Sequence, residues 1–536
     1  MTTPGSAAAL LMGAFDGHAL SPGLAAVLAD RPPAGVTLFR HQNVGTAEQL
    51  RSLTAELQAA VPPHSRPLLI AADQEGGQLQ ALGDFTTPFA GAMALGAAGD
   101  EDLAERVARA VGRELRALGV NVNYAPVCDL ASNPANPGLG IRSFGDEPGP
   151  VAQLAAATVR GLQEEGVAAT VKHFPGKGHA AVDTHHRLAV VSRTRDELEQ
   201  HELVPFRAAL DAGARLVMSG HFALPAITGD ERLPCTLAPA INQQLLRDEL
   251  GFRGVAISDA LDMKALGQGP AQLVEAISAV RGGLDVLLGT PSLSLEQLEA
   301  GLRQALLRRL IEPAALARSV AHVAALREWL SAFGAPPSLD AVGSAAHRAL
   351  ADELARRSIT LLRDDDGLLP LRLPADARLA VVMPRPQDLT PADTSSYLRP
   401  DLAAAIRRRH SRTDELLTDM APSSADIAGL RQRLAGYDLL VLGTISAHLQ
   451  PGQAELAGAV LDLRRPTVTV ALRTPWDLLA YPAASTHLCS YGLLPPSLEA
   501  IAGALWGEFP LGGRLPVELP GLYRRGHGRT PEAVGA

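Results

Sequence analysis

The sequence contains little cysteine, few aromatic residues and no excess of positive charge. Its 536 residues include 3 cysteines, which are far apart and exclude both a disulfide framework and a CxxC metal pair. The net charge of −9 argues against nucleic acid or an anionic membrane as a partner, because both bind basic surfaces. We therefore expect a protein of a reducing compartment and predict a cytoplasmic location.

Long hydrophobic runs are also missing. No stretch of about 18 apolar residues occurs, so the sequence contains no candidate transmembrane helix. The apolar run at 7–15 is short, includes Gly13 and has no Lys or Arg before it, which is typical of a buried strand rather than a signal peptide. With 47% hydrophobic and 20% charged residues, the chain has the composition of a globular protein and is long enough for two domains.

Short apolar runs alternate with amphipathic helical patterns through residues 1–331. This alternation predicts a parallel sheet covered by helices on both faces, and eight such units favour an α/β fold of the (β/α)₈ barrel type. Helical patterns are clear at 101–118 and 151–165, and a longer helix is predicted around 313–331. The predicted strands are 9–15, 35–39, 67–73, 120–126, 168–174, 215–221, 254–260 and 285–290.

A second α/β pattern follows the segment 332–343, which is rich in Gly, Pro and Ala and is typical of a linker. We therefore expect a barrel domain at 1–331 and a smaller three-layer α/β sandwich at 344–536. The sequence leaves open whether this second domain lines a site or only stabilises the barrel. Its predicted strands are 358–363, 379–383, 438–443, 467–472 and 486–491.

Polar residues gather at the predicted carboxyl ends of the barrel strands, the face that carries the active site in barrels of this type. Each of them alone could be an ordinary loop residue, and Asp259 alone could be a helix N-cap. Several together favour a site, in which Asp259 would be a nucleophile or an electrostatic stabiliser. The residues concerned are Asp73, Lys172, His173, His221 and Asp259.

The segment 171–186, VKHFPGKGHAAVDTHH, has the highest density of chemically active side chains. One interpretation is a dyad in which Asp183 orients His185 and raises its proton affinity, so that His185 acts as a general acid and base. Another is a loop of solvated histidines, and the spacing of the residues alone does not decide between the interpretations. A third is a divalent-metal site built from His173, His179, Asp183, His185 and His186.

Together these segments resemble glycoside hydrolase family 3, and specifically its bacterial β-N-acetylhexosaminidase branch in the two-domain form. The resemblance covers nearly the whole chain and continues into the second domain with RTPWDL at 473–478 and GRLPVELP at 513–520. In the first domain it rests on DQEGG at 73–77, RSFG at 142–145, KHFPG at 172–176, DTH at 183–185 and SDALDM at 258–263.

The resemblance implies a retaining glycosidase that releases terminal β-linked N-acetylglucosamine from a small carbohydrate substrate, without a cofactor or a metal. It implies that Asp259 is the nucleophile, that His185 is the acid/base and that Asp183 is the partner of His185. It also implies a covalent glycosyl-enzyme and a role in peptidoglycan recycling. The residues that it implies for holding the terminal sugar are Asp73, Arg142, Lys172 and His173.

Several activities remain compatible with the sequence. A β-glucosidase or a β-glycoside phosphorylase could use the same scaffold. A metal-dependent hydrolase and a catalytically inactive sugar-binding protein are alternatives from different functional classes. The sequence also departs from the usual motifs of the branch, because Gln78 and Ala81 replace two arginines and the loop carries Lys177 and His179. These changes leave the proposed catalytic residues intact but alter the expected contacts to a cell-wall fragment.

Overall fold

The structure is a computed structural model that describes residues 7–289 and 294–530. In its first part eight parallel strands form one sheet in which neighbours in the chain are neighbours in space, and a bridge between Ile257 and Val286 closes it into a barrel. The predicted barrel is therefore confirmed. Its strands are β1 (Leu11–Gly13), β2 (Gly35–Thr37), β3 (Leu69–Ala72), β4 (Val122–Asn123), β5 (Ala168–Phe174), β6 (Leu216–Ser219), β7 (Val255–Ser258) and β8 (Leu287–Leu288).

Both faces of the barrel sheet are covered, which is why its strands are apolar runs rather than alternating patterns. In β3, Leu69 and Ala71 belong to the apolar cluster inside the barrel, whereas Ile70 and Ala72 belong to the core shared with the surrounding helices. This follows from the two-residue period of a strand. The last residue of the predicted eighth strand, Thr290, lies outside the described residues.

Helices surround the barrel, and those predicted at 101–118, 151–165 and 313–331 are confirmed. Side-chain caps mark several of the starts; Asp100, for example, accepts a hydrogen bond from the backbone N–H of Leu103 at 3.0 Å. The helices are Pro22–Asp30, Arg40–Asn43, Ala47–Ala60, Ala92–Ala98, Glu101–Ala117, Pro148–Glu164, Arg195–Gln200, Leu203–Asp211, Pro225–Thr228, the π-helix Ala240–Glu249, Ala271–Arg281, Leu295–Leu307 and Pro313–Ser331.

The second part of the chain is a mixed six-stranded sheet between helices, as predicted for a three-layer sandwich. The sheet order is β9-β14-β13-β12-β10-β11, with β9 antiparallel to β14 and the other pairs parallel. The strands are β9 (Thr360–Asp364), β10 (Leu379–Pro384), β11 (Thr413–Thr418), β12 (Leu439–Thr444), β13 (Thr467–Ala471) and β14 (Thr486–Cys489). The helices are Ala345–Ser358, Leu402–Arg407, Ser424–Leu434, Pro451–Leu461 and Pro495–Trp506.

The strand β11 was not among the five strands predicted for this part. Its sequence, TDELLT, carries two acidic residues and has only partial burial, because among the described strands it lies at the edge of the sheet, next to β10. An edge strand of this kind lacks the continuous apolar run that identifies a buried strand. The domain limits at 331 and 344 stay a prediction.

The three cysteines are buried and unpaired. Among the helices within residues 7–289 and 294–530, none combines the length and apolarity needed to cross a membrane.

Candidate active site

The carboxyl ends of the barrel strands open into a cavity of about 690 Å³. Asp73 directly follows β3, Lys172 and His173 lie near the end of β5, and Asp259 directly follows β7. Parallel strands place these ends at one face, which explains how residues far apart in sequence meet. Of the predicted site residues, the structure gathers six around this cavity: Asp73, Arg142, Lys172, His173, His185 and Asp259.

The seventh predicted residue, Asp183, is buried behind His185. Its Oδ1 lies 2.7 Å from Nδ1 of the imidazole and also accepts the backbone N–H of His185 at 2.9 Å. Burial raises the pKa of Asp183, but the hydrogen bonds and charge of His185 outweigh burial and lower that pKa to about 2. Asp183 is therefore a carboxylate that engages Nδ1, and Nε2 is the nitrogen of His185 available to a substrate.

The loop that carries this pair is held by the segment after β4. Asn133 and Asn136 donate side-chain hydrogen bonds of 3.2–3.3 Å to backbone carbonyls of residues 177–180. Gly178 is required there, because a Cβ at this position would lie 1.7 Å from the carbonyl oxygen of Leu130. The loop therefore has a defined conformation, which positions His185.

A buried ion-pair network forms the floor of the cavity. Lys172 Nζ lies 2.6 Å from Asp73 Oδ1 and also contacts Glu75, which binds Arg142 through two hydrogen bonds of 2.8 and 2.9 Å. Burial raises the pKa of Glu75, but the charges of Arg142 and Lys172 together lower it to about 2. Glu75 thus orients both cations. It belongs to the motif DQEGG but was not among the predicted site residues.

His173 connects this floor to Asp259. Its Nδ1 lies 2.7 Å from Oδ2 of the buried Asp129, and its Nε2 lies 3.9 Å from Oδ2 of Asp259 and 3.5 Å from Nη2 of Arg142. Burial and the nearby cations, Lys177 first among them, hold the pKa of His173 well below its usual range. The imidazole is therefore neutral and donates from Nδ1 to Asp129, another site residue that was not predicted.

Asp259 is placed by its backbone and ionised by its surroundings. Its N–H donates to the carbonyl of Ser219 in β6 at 3.0 Å, and its Oδ1 accepts the N–H of Ala260 at 2.9 Å. Burial raises the pKa of Asp259, but Lys177, His221 and His185 outweigh it, and the net pKa is below the usual value. An anionic carboxylate at the cavity wall can stabilise positive charge or attack an electrophilic carbon.

His221 lies behind the cavity wall. Its Nδ1 is 2.6 Å from Oγ1 of Thr236 and its Nε2 is 3.0 Å from the carbonyl oxygen of Ala260. With both nitrogens engaged, His221 supports the backbone beside Asp259.

The structure does not assemble the histidine-rich loop into a metal site. His173 and His185 engage separate carboxylates, and His186 is exposed. In the described ranges, no group of three or more His, Cys, Asp or Glu side chains could hold a metal ion. Asp183 and His185 make the hydrogen bond that the dyad interpretation requires, and their acid/base role stays a prediction.

The second domain supplies one wall of the cavity, which answers the question that the sequence left open. The segment 388–397 rests on the barrel, where Thr394 donates its N–H to the carbonyl of Gln78 at 2.8 Å. The departures from the usual motifs lie around the site. Gln78 is at this interdomain contact, Ala81 lines the cavity, and Lys177 is buried near Asp259.

The Glu75 network predicts a loss of stability in acid. Because the folded pKa of Glu75 is about 2 and its ordinary value is 4.5, its carboxylate stabilises the fold fully above pH 4.5. That stabilisation is lost as the pH falls through 4.5 towards 2, and it amounts to about 3 kcal/mol. Urea unfolding at about pH 7 and about pH 3 should show wild type losing more free energy of unfolding than Glu75→Gln. Equal losses in the two proteins would contradict this role.

Comparison with known proteins agrees with this architecture. Residues 12–326 match the family described as glycosyl hydrolase family 3 N terminal domain. β-Hexosaminidase A of Pseudoalteromonas piscicida is 31% identical over 93% of this chain and 91% of its own length. A protein of Cellulomonas fimi named β-N-acetylglucosaminidase/β-glucosidase is 31% identical over 90% of this chain and 89% of its own.

A solved structure extends the similarity to the complete two-domain fold. The family 3 β-N-acetylglucosaminidase of Paenibacillus sp. str. FPU-7 superposes with a TM-score of 0.90 at 32% identity, covering 97% of this chain and 99% of that one. Because the family match covers more than half of the chain and a full-length relative exceeds 30% identity, this chain belongs to glycosyl hydrolase family 3.

Proposed function

We propose that this protein is a retaining β-N-acetylhexosaminidase that releases terminal, non-reducing, β-linked N-acetylglucosamine. The observation that carries the proposal is the hydrogen-bonded Asp183–His185 pair in the same cavity as the ionised Asp259. It is supported by the names of the relatives from Pseudoalteromonas piscicida and Paenibacillus.

The terminal sugar binds at the floor of the cavity. Asp73 offers carboxylate oxygens to its hydroxyl groups, and Lys172 and Arg142 offer N–H donors. Glu75 already holds both cations in place through short contacts, so little side-chain conformational freedom is lost when the sugar binds. The neutral His173 adds a polar contact beside Asp259.

In the first half of the reaction, protonated His185 donates its Nε2 proton to the glycosidic oxygen. The bond between that oxygen and the anomeric carbon breaks, and an oxygen of Asp259 bonds to the anomeric carbon. Positive charge develops on the sugar during this exchange, and the carboxylate of Asp259 stabilises it before the new bond forms. The aglycone leaves with the proton.

In the second half, water gives a proton to His185 and its oxygen bonds to the anomeric carbon as Asp259 leaves. Two displacements restore the β configuration. His185 is neutral between the two steps, so no second negative charge lies beside the departing carboxylate. Asp183 keeps the ring oriented throughout through its contact with Nδ1.

A panel of aryl glycosides tests this assignment. We expect kcat/KM for the β-N-acetylglucosaminide to exceed that for the β-glucoside by at least about tenfold. The β-glucoside lacks the acetamido group, and the protein groups that would bind it are left without a partner. Phosphate should not change the rate or yield a sugar 1-phosphate, and EDTA should leave activity intact. The opposite sugar preference would favour a β-glucosidase, which the name of the Cellulomonas fimi relative includes.

The same panel separates the phosphorylase, the metal-dependent hydrolase and the sugar-binding protein. A sugar 1-phosphate would identify a phosphorylase, which a neutral His185 would permit because it does not repel an anionic acceptor. Loss of activity with EDTA would identify a metal-dependent hydrolase, and binding without turnover would identify a sugar-binding protein. Peptidoglycan recycling and a cytoplasmic location stay predictions.

A further inference from the structure

The catalytic cavity extends beyond the floor where the terminal sugar is proposed to bind. At the floor, Lys172 is 1% exposed and Met218 is 2% exposed. At the other end, Asp388, Ser396 and Tyr397 line the same cavity and are exposed. If the floor holds the terminal sugar, the group attached to it must extend towards this exposed rim.

The rim belongs to the second domain and is held rigidly. Inside the segment 388–397, the buried Asp393 accepts the backbone N–H groups of Leu389 and Ser395 at 3.1 and 2.9 Å. Asp393 also forms an ion pair of 2.8 Å with Arg473, and the side chains of both residues are at most 3% exposed. A segment built around a buried ion pair forms a preorganised surface.

The contact between this segment and the barrel fixes where the rim lies. Gln80 donates its N–H to Oγ1 of Thr394 at 3.1 Å, and the carbonyl of Gln78 accepts the N–H of Thr394. Gln80 ends the short hairpin that begins directly after Asp73. The rim is therefore tied to the same hairpin that carries part of the floor.

The side chains at the rim suit a pyranose ring. Tyr397 is 47% exposed, and the guanidinium carbon of Arg40 lies 4.0 Å from the centroid of its ring. The ring face that Arg40 leaves uncovered offers apolar surface to the C–H face of a sugar. Beside it, the carboxylate of Asp388 is oriented by the N–H and the hydroxyl of Ser396, at 2.8 and 2.7 Å, and can accept hydrogen bonds from sugar hydroxyls.

The charge at the rim does not suit an anion. Each lysine or arginine on the described cavity wall is already ion-paired: Arg40 with Asp84 at 2.7 Å, Lys172 with Asp73, and Arg142 with Glu75. Asp388, by contrast, has no lysine or arginine partner within residues 7–289 and 294–530. A carboxylate on the aglycone would therefore meet the negative Asp388 and, on the described cavity wall, no lysine or arginine that lacks an ion-pair partner.

We infer that the segment 388–397 forms an aglycone subsite for a neutral pyranose ring, with Tyr397 as its platform and Asp388 as its hydroxyl acceptor. This inference rests on the proposed function. It assigns the substrate class as oligosaccharides of neutral β-linked sugars that end in N-acetylglucosamine. Fragments whose second sugar carries a lactyl carboxylate, as in peptidoglycan, are poorer substrates.

Three substrates test the inference: β-N-acetylglucosaminyl fluoride, which has no second ring, the neutral disaccharide di-N-acetylchitobiose, and N-acetylglucosaminyl-β-1,4-N-acetylmuramic acid. Wild type should cleave the neutral disaccharide with a kcat/KM about fivefold higher than the acidic one. Tyr397→Ala should lower the ratio of kcat/KM for chitobiose to that for the fluoride roughly tenfold, and Tyr397→Phe should retain the ratio. Tyr397 is exposed, so these variants are expected to fold.

A charge reversal gives a second, independent readout. Asp388→Lys should move the preference towards the acidic disaccharide about fivefold or more. The matched control is Asp376→Lys, at an exposed position of the second domain that does not line the cavity, and it should leave the preference as in wild type.

The outcomes separate the catalytic assignment from the subsite. Failure of wild type to hydrolyse the fluoride would overturn the proposed function itself. If the fluoride is hydrolysed, a wild-type preference for the acidic disaccharide would overturn the subsite alone. The subsite would also be overturned if Tyr397→Ala left the chitobiose-to-fluoride ratio unchanged and Asp388→Lys left the preference between the two disaccharides unchanged.

Discussion

Replacing Asp259 by alanine is expected to reduce kcat by at least about 10⁴-fold on every β-N-acetylglucosaminide, whatever its leaving group. The variant loses both the atom that bonds to the anomeric carbon and the negative charge that stabilises the sugar cation. Asp259→Asn is the matched control, because it keeps the size of the side chain and removes its charge and its nucleophilic carboxylate. Stopped assays with aryl and disaccharide substrates measure the loss, and circular dichroism verifies the fold.

Azide provides the decisive second measurement for Asp259. In Asp259→Ala the small anion can occupy the space of the lost carboxylate and attack the anomeric carbon from the same side, in a single displacement. We expect an activated aryl glycoside to yield the α-glycosyl azide, identified by NMR. Near-wild-type turnover in Asp259→Ala, or a β-azide as the product, would contradict the assignment of Asp259 as nucleophile.

The barrel was predictable because its signal is local. Each barrel strand is buried on both faces, so it appears in the sequence as a short apolar run between helical patterns, and the eight runs match the eight strands. The strand β11 was missed for the converse reason: it is an edge strand of the sheet that the described residues form, and charged residues are tolerated at such an edge.

The candidate site was predictable only in part, because its remaining members act through contacts between distant segments. Glu75 is one position in a motif, and its importance comes from Arg142 and Lys172, which lie 67 and 97 residues further along the chain. Tyr397 has no motif at all. It reaches the cavity because Thr394 docks on the barrel hairpin 316 residues earlier in the chain.

Asp259 and His185 differ in how far the sequence alone identifies them, and the range of their contacts explains the difference. Local sequence cannot distinguish Asp259 from a helix cap, and only the barrel topology places it at the cavity. Only Thr184 lies between Asp183 and His185, so their hydrogen bond is local and the spacing could suggest it. The metal site proposed for five residues of this loop required long-range geometry, and within the described residues no three or more His, Cys, Asp or Glu side chains are placed to hold a metal ion. His173 contacts Asp129 instead.

Replacing His185 by alanine is expected to produce a loss that depends on the leaving group. For di-N-acetylchitobiose, whose leaving alkoxide needs a proton, kcat/KM should fall by about 10² to 10⁴-fold. For a dinitrophenyl glycoside the leaving group is stable as an anion, so the first step should slow far less. Breakdown of the glycosyl-enzyme then becomes limiting, which should appear as a burst of dinitrophenolate in stopped-flow absorbance.

Azide distinguishes His185 from Asp259 by the stereochemistry of the product. In His185→Ala the covalent intermediate still forms, so azide attacks it from the β face and should accelerate turnover while yielding the β-glycosyl azide. Asp183→Asn is the matched control. It keeps His185 but removes the charge that orients Nδ1, and we expect a smaller loss with the same dependence on the leaving group. Equal losses on the two substrates in His185→Ala, with no burst and no azide product, would show that His185 does not transfer the proton.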